Sequence, residues 1–222
     1  MVANHFDLDL ICRFLETQFD SERHFEQGLG ASVDDVETHL YAKAKRGVFC
    51  PFSLIVFEGE RMVGLLLGSS WEHRAPPRHT PFALKEDYGD EVDGGPHLQR
   101  EGNRVKAFEE ILLDEFPYFV EPGAPRIGLV EMLVTAPEYN DGELERVLLS
   151  HALKRAADAE TRFLGFLCAT DADRAACGEC GFTRFMDVKY ADFFDRDFRG
   201  PAHLLDPKQS DRMSLYIAKT TR

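Results

Sequence analysis

A glutamate inside an apolar segment is one residue of this chain that could act as a base. Glu131 lies in the run LVEMLV, which has the composition of a β-strand. Alternate side chains of a strand share a face, so Glu131 belongs with Leu129 and Leu133. An acid at such a position either faces a cleft or lies on an exposed sheet face. Burial favours the protonated form of a carboxyl group, which suits a base that takes up a proton near neutral pH. Glu131 is therefore a candidate general base.

The segment after this strand has the order of an anion-binding site. The strand GLVEMLVT leads into the loop YNDGELE and then into the amphipathic run RVLLSHALKRAADA. A helix N-terminus exposes unpaired N–H groups and partial positive charge, and a glycine there lets an anion approach the backbone. Gly142 supplies that glycine, but Glu143 and Glu145 place two acids in the first turn. These acids either suit the helix dipole or repel a polyanion, by about 1 kcal/mol per charge pair at about 4 Å in water.

The cysteines and histidines lack the spacing of a metal or redox site. Five cysteines lie at positions 12, 50, 168, 177 and 180, an odd number that predicts reduced thiols. Cys177 and Cys180 have the spacing of a thioredoxin-like pair, but they lie at a predicted helix end and run into Gly181, which is typical of a helix stop. No two histidines are placed four apart on a helix around an acid. We therefore predict no metal site and buried or incidental thiols.

Hydrophobic periodicity predicts the elements that position these residues. Helical spacing covers Leu8 to Phe19, and Ser32 or Asp34 caps a second helix that runs to about Lys45. A polar turn from Glu58 to Arg61 joins two strands in a hairpin. The predicted strands are Phe52 to Phe57, Met62 to Ser69, Ile127 to Thr135, Phe163 to Ala169, Met186 to Phe193 and Met213 to Lys219, and a further helix covers Arg104 to Phe116.

Strands separated by long helical segments predict an α+β fold with a mixed central sheet of about six to seven strands flanked by helices. The 222 residues, 44% of them hydrophobic, can bury one sizeable core, and no linker composition divides them. We expect a single domain over residues 1–222. A stretch near residues 71–102, rich in Pro, Gly, His and acids, is predicted to be a long loop or insertion.

The charge balance excludes some classes of partner. Lys and Arg total 26 against 39 Asp and Glu, a net charge of −13 that disfavours nonspecific binding to nucleic acid or to an anionic membrane. The first residues, MVANHFDLDLICRFL, contain neither a basic segment nor a long apolar run, and no window reaches the roughly 18 apolar residues of a membrane span. We expect a soluble cytoplasmic protein whose acidic surface suits cationic amines.

The strand, loop and helix described above resemble the core of the GNAT N-acetyltransferases. The loop of that family reads Q/R-x-x-G-x-G/A, and it matches the six positions from Asn140 to Glu145. Asn140 replaces the basic or amide residue, and Glu143 and Glu145 replace both glycines. The resemblance implies acetyl-CoA as co-substrate, held by the end of the strand and by the loop. The residues so implied are Leu133, Val134, Thr135, Asn140, Asp141, Gly142, Glu143, Leu144 and Glu145.

Further segments resemble the arylalkylamine N-acetyltransferases of insects and nematodes, which acetylate primary amines. FDSERHFEQGLGASVDDV is similar to their F-x-x-x-E-P-L…L-G-x-S-x-x-D segment, and the tail KYADFFDRDFRGPAH to their Y-x-D-Y and P-x-H. Glu22 matches the glutamate that the resemblance assigns as base, although Arg23 and His24 replace Pro-Leu. The alternative for Glu22 is a solvated acid at a helix end.

The resemblance provides fewer candidates for a proton donor. Many GNAT enzymes carry a tyrosine four residues before a Gly-Phe pair, where this chain has Cys177. The arylalkylamine group has serines in a C-S-S-x-x-S pattern, matched here by Ala169, Thr170 and Asp173. Thr170 either orients a water or thiolate or caps the following helix, and its position favours the cap.

Together these observations predict an acetyl-CoA-dependent N-acetyltransferase that acts on a small cationic primary amine, of arylalkylamine type, by direct transfer. The catalytic candidates are Glu22, Glu131 and Thr170. Three departures favour an alternative, a catalytically inactive GNAT-fold protein that binds a ligand or partner. They are the acidic loop, the missing tyrosine and the missing serines.

Overall fold

Six α-helices, four short 3-10 helices and eight strands lie in the part of the chain that the computed structural model describes. It comprises residues 1–22, 29–73, 82–139, 142–196, 198–200 and 210–221, with the backbone alone at 19–22. The helices are α1 (Leu8–Glu22), α2 (Val33–Gly47), α3 (Gly89–Asp93), α4 (Arg100–Leu113), α5 (Glu143–Asp158) and α6 (Asp171–Glu179). The strands are β1 (Leu54–Glu58), β2 (Arg61–Glu72), β3 (Arg126–Thr135), β4 (Phe163–Cys168), β5 (Thr183–Lys189), β6 (Phe194–Asp195), β7 (Phe198–Arg199) and β8 (Arg212–Lys219).

Six of the strands form one mixed sheet in the order β1-β2-β3-β4-β8-β5. Neighbouring strands are antiparallel except β3 and β4, which are parallel. A parallel pair needs a crossover, and α5 provides it. The last strand, β8, lies between β4 and β5. β6 and β7 form a separate two-stranded hairpin.

Helices cover both faces of the sheet and create two hydrophobic cores. On one face α1, α2 and α4 pack through residues such as Ile11, Leu40 and Phe108. On the other face α5 and α6 pack through residues such as Leu149 and Cys177. The apolar stripe of each helix therefore determines the face on which it packs.

Local signals determine several of the helix ends. Asp35 accepts a hydrogen bond from the Ser32 N–H at 2.8 Å, which confirms Ser32 as the cap of α2. After α6, Gly181 has a left-handed φ of 81°, and the Phe182 N–H donates to the Cys177 carbonyl at 3.0 Å. This is the glycine helix stop that the sequence predicted. Cys177 and Cys180 therefore lie at the C-terminal end of α6, whereas a thioredoxin-like pair begins its helix.

The predicted α+β architecture and its mixed sheet are confirmed, with six strands in the main sheet. Most boundaries shift by a few residues, as in the helix predicted over Arg104 to Phe116, which runs from Arg100 to Leu113. Two regions differ more. The region predicted as a loop near residues 71–102 contains the end of β2, the short helix α3 and the first turn of α4. Tyr88 and Val92 of this region are buried, so its described part packs on the domain. The strand predicted from Met186 to Phe193 begins at Thr183 and ends at Lys189, where a 3-10 turn follows.

Candidate functional site

The parallel strands β3 and β4 separate after only four residue pairs. Their pairing ends at Val130, opposite Phe166. Beyond that point β4 stays paired with β8, and β3 stays paired with β2 as far as Thr135. In the described part of the chain, the edge of β3 from Glu131 to Thr135 therefore has no strand partner on the side of the opening. A free strand edge presents backbone N–H and C=O groups to an extended ligand.

A narrow cleft of about 80 Å³ lies in this opening. Of the three β3 residues predicted to contact acetyl-CoA, Leu133 and Val134 line this cleft and Thr135 does not. Helices α2 and α4 and the start of α6 also contribute side chains to its lining. The lining residues are Lys43, Glu109, Leu113, Leu129, Val130, Glu131, Met132, Leu133, Val134, Phe166, Leu167, Ala169, Thr170, Asp173 and Met213.

Glu131 lies where the two strands separate. Its side chain is only 7% exposed. The Ser69 hydroxyl donates to Glu131 Oε1 at 2.6 Å, and Arg46 Nη2 is 3.4 Å from Glu131 Oε2. Of the two orientations that the sequence left open for Glu131, the structure has the one that faces the cleft.

A buried ion cluster contributes Lys43 and Glu109 to the lining of the cleft. Lys43 of α2 donates to Glu109 Oε1 of α4 at 2.5 Å, and His39 Nε2 lies 3.1 Å from Glu109 Oε2. All three side chains are at most 10% exposed. Burial alone would raise the pKa of Glu109, but Lys43 and His39 outweigh it and hold that pKa well below its usual range. The cluster therefore keeps a carboxylate and an ammonium beside the cleft.

A larger cavity of about 310 Å³ adjoins the cleft. The two spaces share five lining residues, among them Glu131 and Glu109. Trp71, 38% exposed, forms part of the cavity wall and packs edge-on against Phe116 at a centroid distance of 6.1 Å. The remaining lining comes mainly from α2, α4 and the segment before α4. It consists of His39, Ala42, Lys43, Arg46, Pro96, His97, Lys106, Glu110, Leu113 and Leu129.

Thr170 caps α6. Its hydroxyl oxygen accepts a hydrogen bond from the Asp173 N–H at 3.0 Å, and Asp173 Oδ2 accepts one from the Thr170 N–H at 3.1 Å. This reciprocal pair is a capping box. Thr170 also lines the cleft, so the cap and a contact with a ligand are both compatible with its position.

The Asp173 carboxyl group is held in an unfavourable environment at neutral pH. Burial raises its pKa to about 6, against the hydrogen bonds from Thr170, and the nearby Glu145 carboxylate adds to the rise. A raised pKa means that Asp173 stabilises the fold fully below its unfolded value of 3.8 and loses that contribution as the pH rises through about 6.

Replacing Asp173 with Asn is therefore expected to stabilise the protein increasingly with pH. Asn keeps an acceptor for the Thr170 N–H but carries no charge. The gain in unfolding free energy should grow from under about 1 kcal/mol at pH 4 to at most about 3 kcal/mol above pH 7. Urea unfolding of both proteins across this range measures it, with Asp171→Asn as a matched control in the same helical turn. An equal gain in unfolding free energy at pH 4 and above pH 7 would contradict the raised pKa of Asp173.

The N-terminus of α5 is open, but two acids accompany it. Gly142 has a left-handed φ of 83°, and no atom of the described residues lies within 4 Å of the place where a Cβ would be. Glu145 is buried and directed towards β3, where its Oε1 accepts a hydrogen bond from the Thr135 hydroxyl at 2.6 Å. Its Oε2 is buried without a hydrogen-bond partner in the described part of the chain. Glu143 is exposed. The bulk of Glu145 is therefore turned away from the helix N-terminus, while its charge remains close.

A groove of about 440 Å³ runs from this N-terminus between α5 and α6. Gly142 and Glu143 line one end, and small residues of α6 such as Ala172 and Ala175 line its side. Arg146 lines the groove as well and lies 3.4 Å from Glu179. The groove thus combines a helix N-terminus with a half-exposed guanidinium group.

Some predicted residues lie outside the described part of the chain. The side chain of Glu22 does, as do Asn140, Asp141 and the tail histidine His203. The five cysteines are free thiols, and Cys168 Sγ and Cys177 Sγ are 3.4 Å apart in the core. Among the described residues no group of three or more His, Cys, Asp or Glu side chains could hold a metal ion. The described helices also include none with the length and apolar character needed to cross a membrane.

Sequence reasoning missed most of the residues around Glu131. His39 and Lys43 are four apart on the buried face of α2, and Glu109 lies among the apolar residues of α4. Charged or polar residues on a buried helix face rarely remain unpaired. The presence of these three on such faces was therefore the signal that could have predicted the cluster. Ser69 and Arg46 gave none, because only the pairing of β2 with β3 and the packing of α2 bring them to Glu131.

The separating parallel strands, the crossover helix and the open helix N-terminus define the GNAT fold. No protein-family model matches the chain, and no curated protein matches it in sequence. Solved structures match over nearly its whole length. Arylalkylamine N-acetyltransferase 2 from Aedes aegypti has a TM-score of 0.72 at 12% identity and covers 100% of this chain and 98% of its own.

Two other solved structures match over a similar length. The polyamine N-acetyltransferase of Drosophila melanogaster, which forms N-acetylagmatine, has a TM-score of 0.68 at 13% identity, covering 98% of this chain and 97% of its own. The C-terminal condensation domain of Ebony, in complex with β-alanyl-dopamine, has a TM-score of 0.62 at 15% identity, covering 96% of this chain and 94% of its own. The chain therefore has the fold of these proteins.

Proposed function

We propose that this protein is an acetyl-CoA-dependent N-acetyltransferase that transfers the acetyl group directly to a small primary amine. One observation carries the proposal. Glu131, an almost fully buried carboxylate, lies where β3 and β4 separate and lines both the cleft and the adjoining cavity. A base in that position contacts an acyl donor in the first space and an acceptor in the second. The amine-acetylating structural neighbours support the same reaction class.

The donor side fits acetyl-CoA, which supplies an acetyl thioester. The free edge of β3 from Glu131 to Thr135 suits the extended pantetheine arm, and the open N-terminus at Gly142 suits an anionic group. Arg146 adds a cation in the groove beyond. The charges of Glu143 and Glu145 weaken this site, so backbone N–H groups and Arg146 would provide most of the attraction.

On the acceptor side, Glu131 removes the proton that the attacking nitrogen must lose. The nitrogen lone pair forms a bond to the acetyl carbon, the C–S bond breaks, and CoA leaves as a thiolate. A cationic amine loses two protons: the first passes to Glu131 before the attack, directly or through a water, and the second passes to the departing thiolate. The Ser69 hydroxyl, 2.6 Å away, fixes the orientation of the carboxylate. Holding donor and acceptor together in two adjoining spaces provides the main rate enhancement.

Lys43 is proposed to stabilise the departing thiolate. Its ammonium group lines the cleft and donates one hydrogen bond to Glu109, which leaves two further N–H donors. A buried positive charge placed where negative charge develops is the usual form of electrostatic catalysis. In this proposal Lys43 takes over the task of the tyrosine that Cys177 replaces. Thr170 and Glu22 stay candidates for a second contact and a second base.

A second function deserves a test because a specific observation favours it. Two partly or fully buried acids, Glu145 and Asp173, lie close enough to interact near the proposed diphosphate site. An acidic site of this kind suits a GNAT-fold protein that has lost acetyl-CoA and binds another ligand or partner.

Acetyl-CoA is expected to stabilise the protein against heat. At a concentration 100 times the dissociation constant, binding should raise the unfolding midpoint by about 5–10 °C, since it adds about 2.7 kcal/mol to a domain of this size. Differential scanning fluorimetry at increasing acetyl-CoA measures the shift, with adenosine as a ligand that lacks the diphosphate. No shift at millimolar acetyl-CoA would contradict the transferase and favour the second function.

A further inference from the structure

Building on the proposed function, we infer that the preferred acceptor carries a carboxylate beside its amine, as an α-amino acid does. In this assignment Arg46 binds the carboxylate and Glu131 binds the amine. The sequence suggested a plain cationic amine, on the basis of net charge and resemblance. The charges that line the cavity point to a zwitterion.

The acceptor cavity contains as many lysine and arginine side chains as glutamates. Three basic side chains line it, and each is paired with one of its three acids: Lys43 with Glu109, Arg46 with Glu131 and Lys106 with Glu110. His39 contacts Glu109 as well. Burial lowers the pKa of His97, with His39 and Lys106 lowering it further, so His97 adds no charge at neutral pH. Every carboxylate of the cavity thus already has a cationic partner.

This balance disfavours cationic acceptors. A simple amine would add one uncompensated positive charge, and a diamine would add two, in a cavity that already contains Lys43 and Arg46. This repulsion is stronger than it would be in bulk water, because the cavity is partly closed to water. A zwitterion adds no net charge. The cavity therefore favours an acceptor whose positive and negative groups are both present.

The Arg46–Glu131 pair can exchange partners with such a ligand. Arg46 is half-exposed, and among the described residues its guanidinium group forms a single, long ion pair, at 3.4 Å to Glu131 Oε2. Its remaining N–H donors can form a bidentate pair with a carboxylate. The ligand amine then takes the place of Arg46 beside Glu131, which Ser69 still holds. Both charges stay paired, and the amine is delivered to the base.

The cavity also limits the size of the side chain. Its volume of about 310 Å³ is at the lower end of the roughly 300–1,000 Å³ range of ligand sites. Trp71 contributes an aromatic surface to the wall. A single amino acid with an apolar or aromatic side chain fits these limits better than a peptide.

Trp71 makes the test direct, because it is the sole tryptophan of the chain and lies at the cavity. Fluorescence titration with phenylalanine and with 2-phenylethylamine compares two ligands that differ only in the carboxylate. Leucine with isoamylamine forms a second such pair, and agmatine represents the dications. Isothermal titration calorimetry on the same samples detects binding that leaves the fluorescence unchanged. We expect each amino acid to bind at least about tenfold more tightly than its decarboxylated counterpart, and agmatine to bind most weakly.

A substitution of Arg46 tests whether this residue causes the preference for amino acids over plain amines. Arg46→Gln should abolish the tenfold difference, because it weakens binding of the amino acids and removes a positive charge that opposes the plain amines. Lys45→Gln removes the same charge from an exposed neighbour on α2 that does not line the cavity, and it should leave the difference intact. Equal or tighter binding of the plain amines, no binding of either amino acid, or an unchanged preference in Arg46→Gln would each overturn the inference.

The outcome is separable from that of the proposed function. A preference for plain amines together with acetyl transfer would overturn the zwitterion assignment and leave the transferase. Tighter binding of the amino acids without any effect of acetyl-CoA on thermal stability would overturn the transferase and leave the zwitterion assignment. In that case the cavity would be an amino-acid binding site in a noncatalytic protein.

Discussion

Replacing Glu131 with Gln is expected to reduce kcat by about 10²–10³-fold, because general-base catalysis typically contributes about 10²–10⁴-fold. Gln has the same shape and still accepts the hydrogen bond from Ser69, so the cleft should keep its form. It cannot take up the proton that the amine must lose. Release of the CoA thiol with the best acceptor, followed by a thiol reagent, measures the rate. The acetyl-CoA-induced rise in the unfolding midpoint should stay unchanged.

Two controls make this result specific. Glu60→Gln removes one negative charge from the exposed turn between β1 and β2 and should leave the rate intact. Glu22→Gln tests the base that the family resemblance assigns. Full activity of Glu131→Gln, with loss of activity in Glu22→Gln, would move the base to Glu22 and leave Glu131 a structural partner of Ser69 and Arg46.

Breaking the buried Lys43–Glu109 pair should cost more stability than the other substitutions considered. Glu109→Gln removes the partner of an ammonium group that is only 5% exposed. Loss of one member of a buried pair typically costs about 3–5 kcal/mol, which in a domain of this size lowers the unfolding midpoint on the order of 10 °C. Urea unfolding measures the free energy. A loss below about 1 kcal/mol would show that Lys43 finds water or another partner.

The pH dependence and a double variant test the same pair. Because the pKa of Glu109 is lowered in the fold, its contribution is fully present above its ordinary value of 4.5 and is lost as the pH falls. Glu109→Gln should therefore flatten the acid side of the stability profile. The double variant Lys43→Met, Glu109→Leu removes both charges and should recover most of the lost stability, since apolar replacements of a buried pair are often neutral. Its acetyl-transfer rate should nevertheless be low, because Lys43 is missing.

The sequence predicted the elements well because its local signals agree with the tertiary packing. The cap at Ser32, the stop at Gly181 and the strands around Glu131 are all short-range patterns, and each lies where it was predicted. The structure of the region near residues 71–102 was harder to predict from the sequence. Its Pro and Gly content indicates turns, whereas the burial of Tyr88 and Val92 depends on contacts with distant elements.

The site was only partly predictable, for a physical reason. Glu131 could be found because an acid in an apolar strand has few harmless positions. Arg46 and Ser69 are unremarkable in their own segments, and only the sheet register and the packing of α2 make them its partners. The orientation of Glu145 towards Thr135, which turns its bulk from the helix N-terminus, also depends on tertiary structure.

The position of β8 between β4 and β5 affects how the protein folds during its synthesis on the ribosome. β4 and β5 cannot pair with β8 until Arg212–Lys219 has been synthesised and has left the exit tunnel. Until then a nascent chain carries β4 with one edge unpaired and apolar residues such as Leu164 and Phe166 without their final cover. Closing the sheet then requires β8 to insert over a long sequence separation, which is a slow step for β structure. Chaperone protection late in synthesis should therefore matter more for this chain than for one whose strands pair in sequence order.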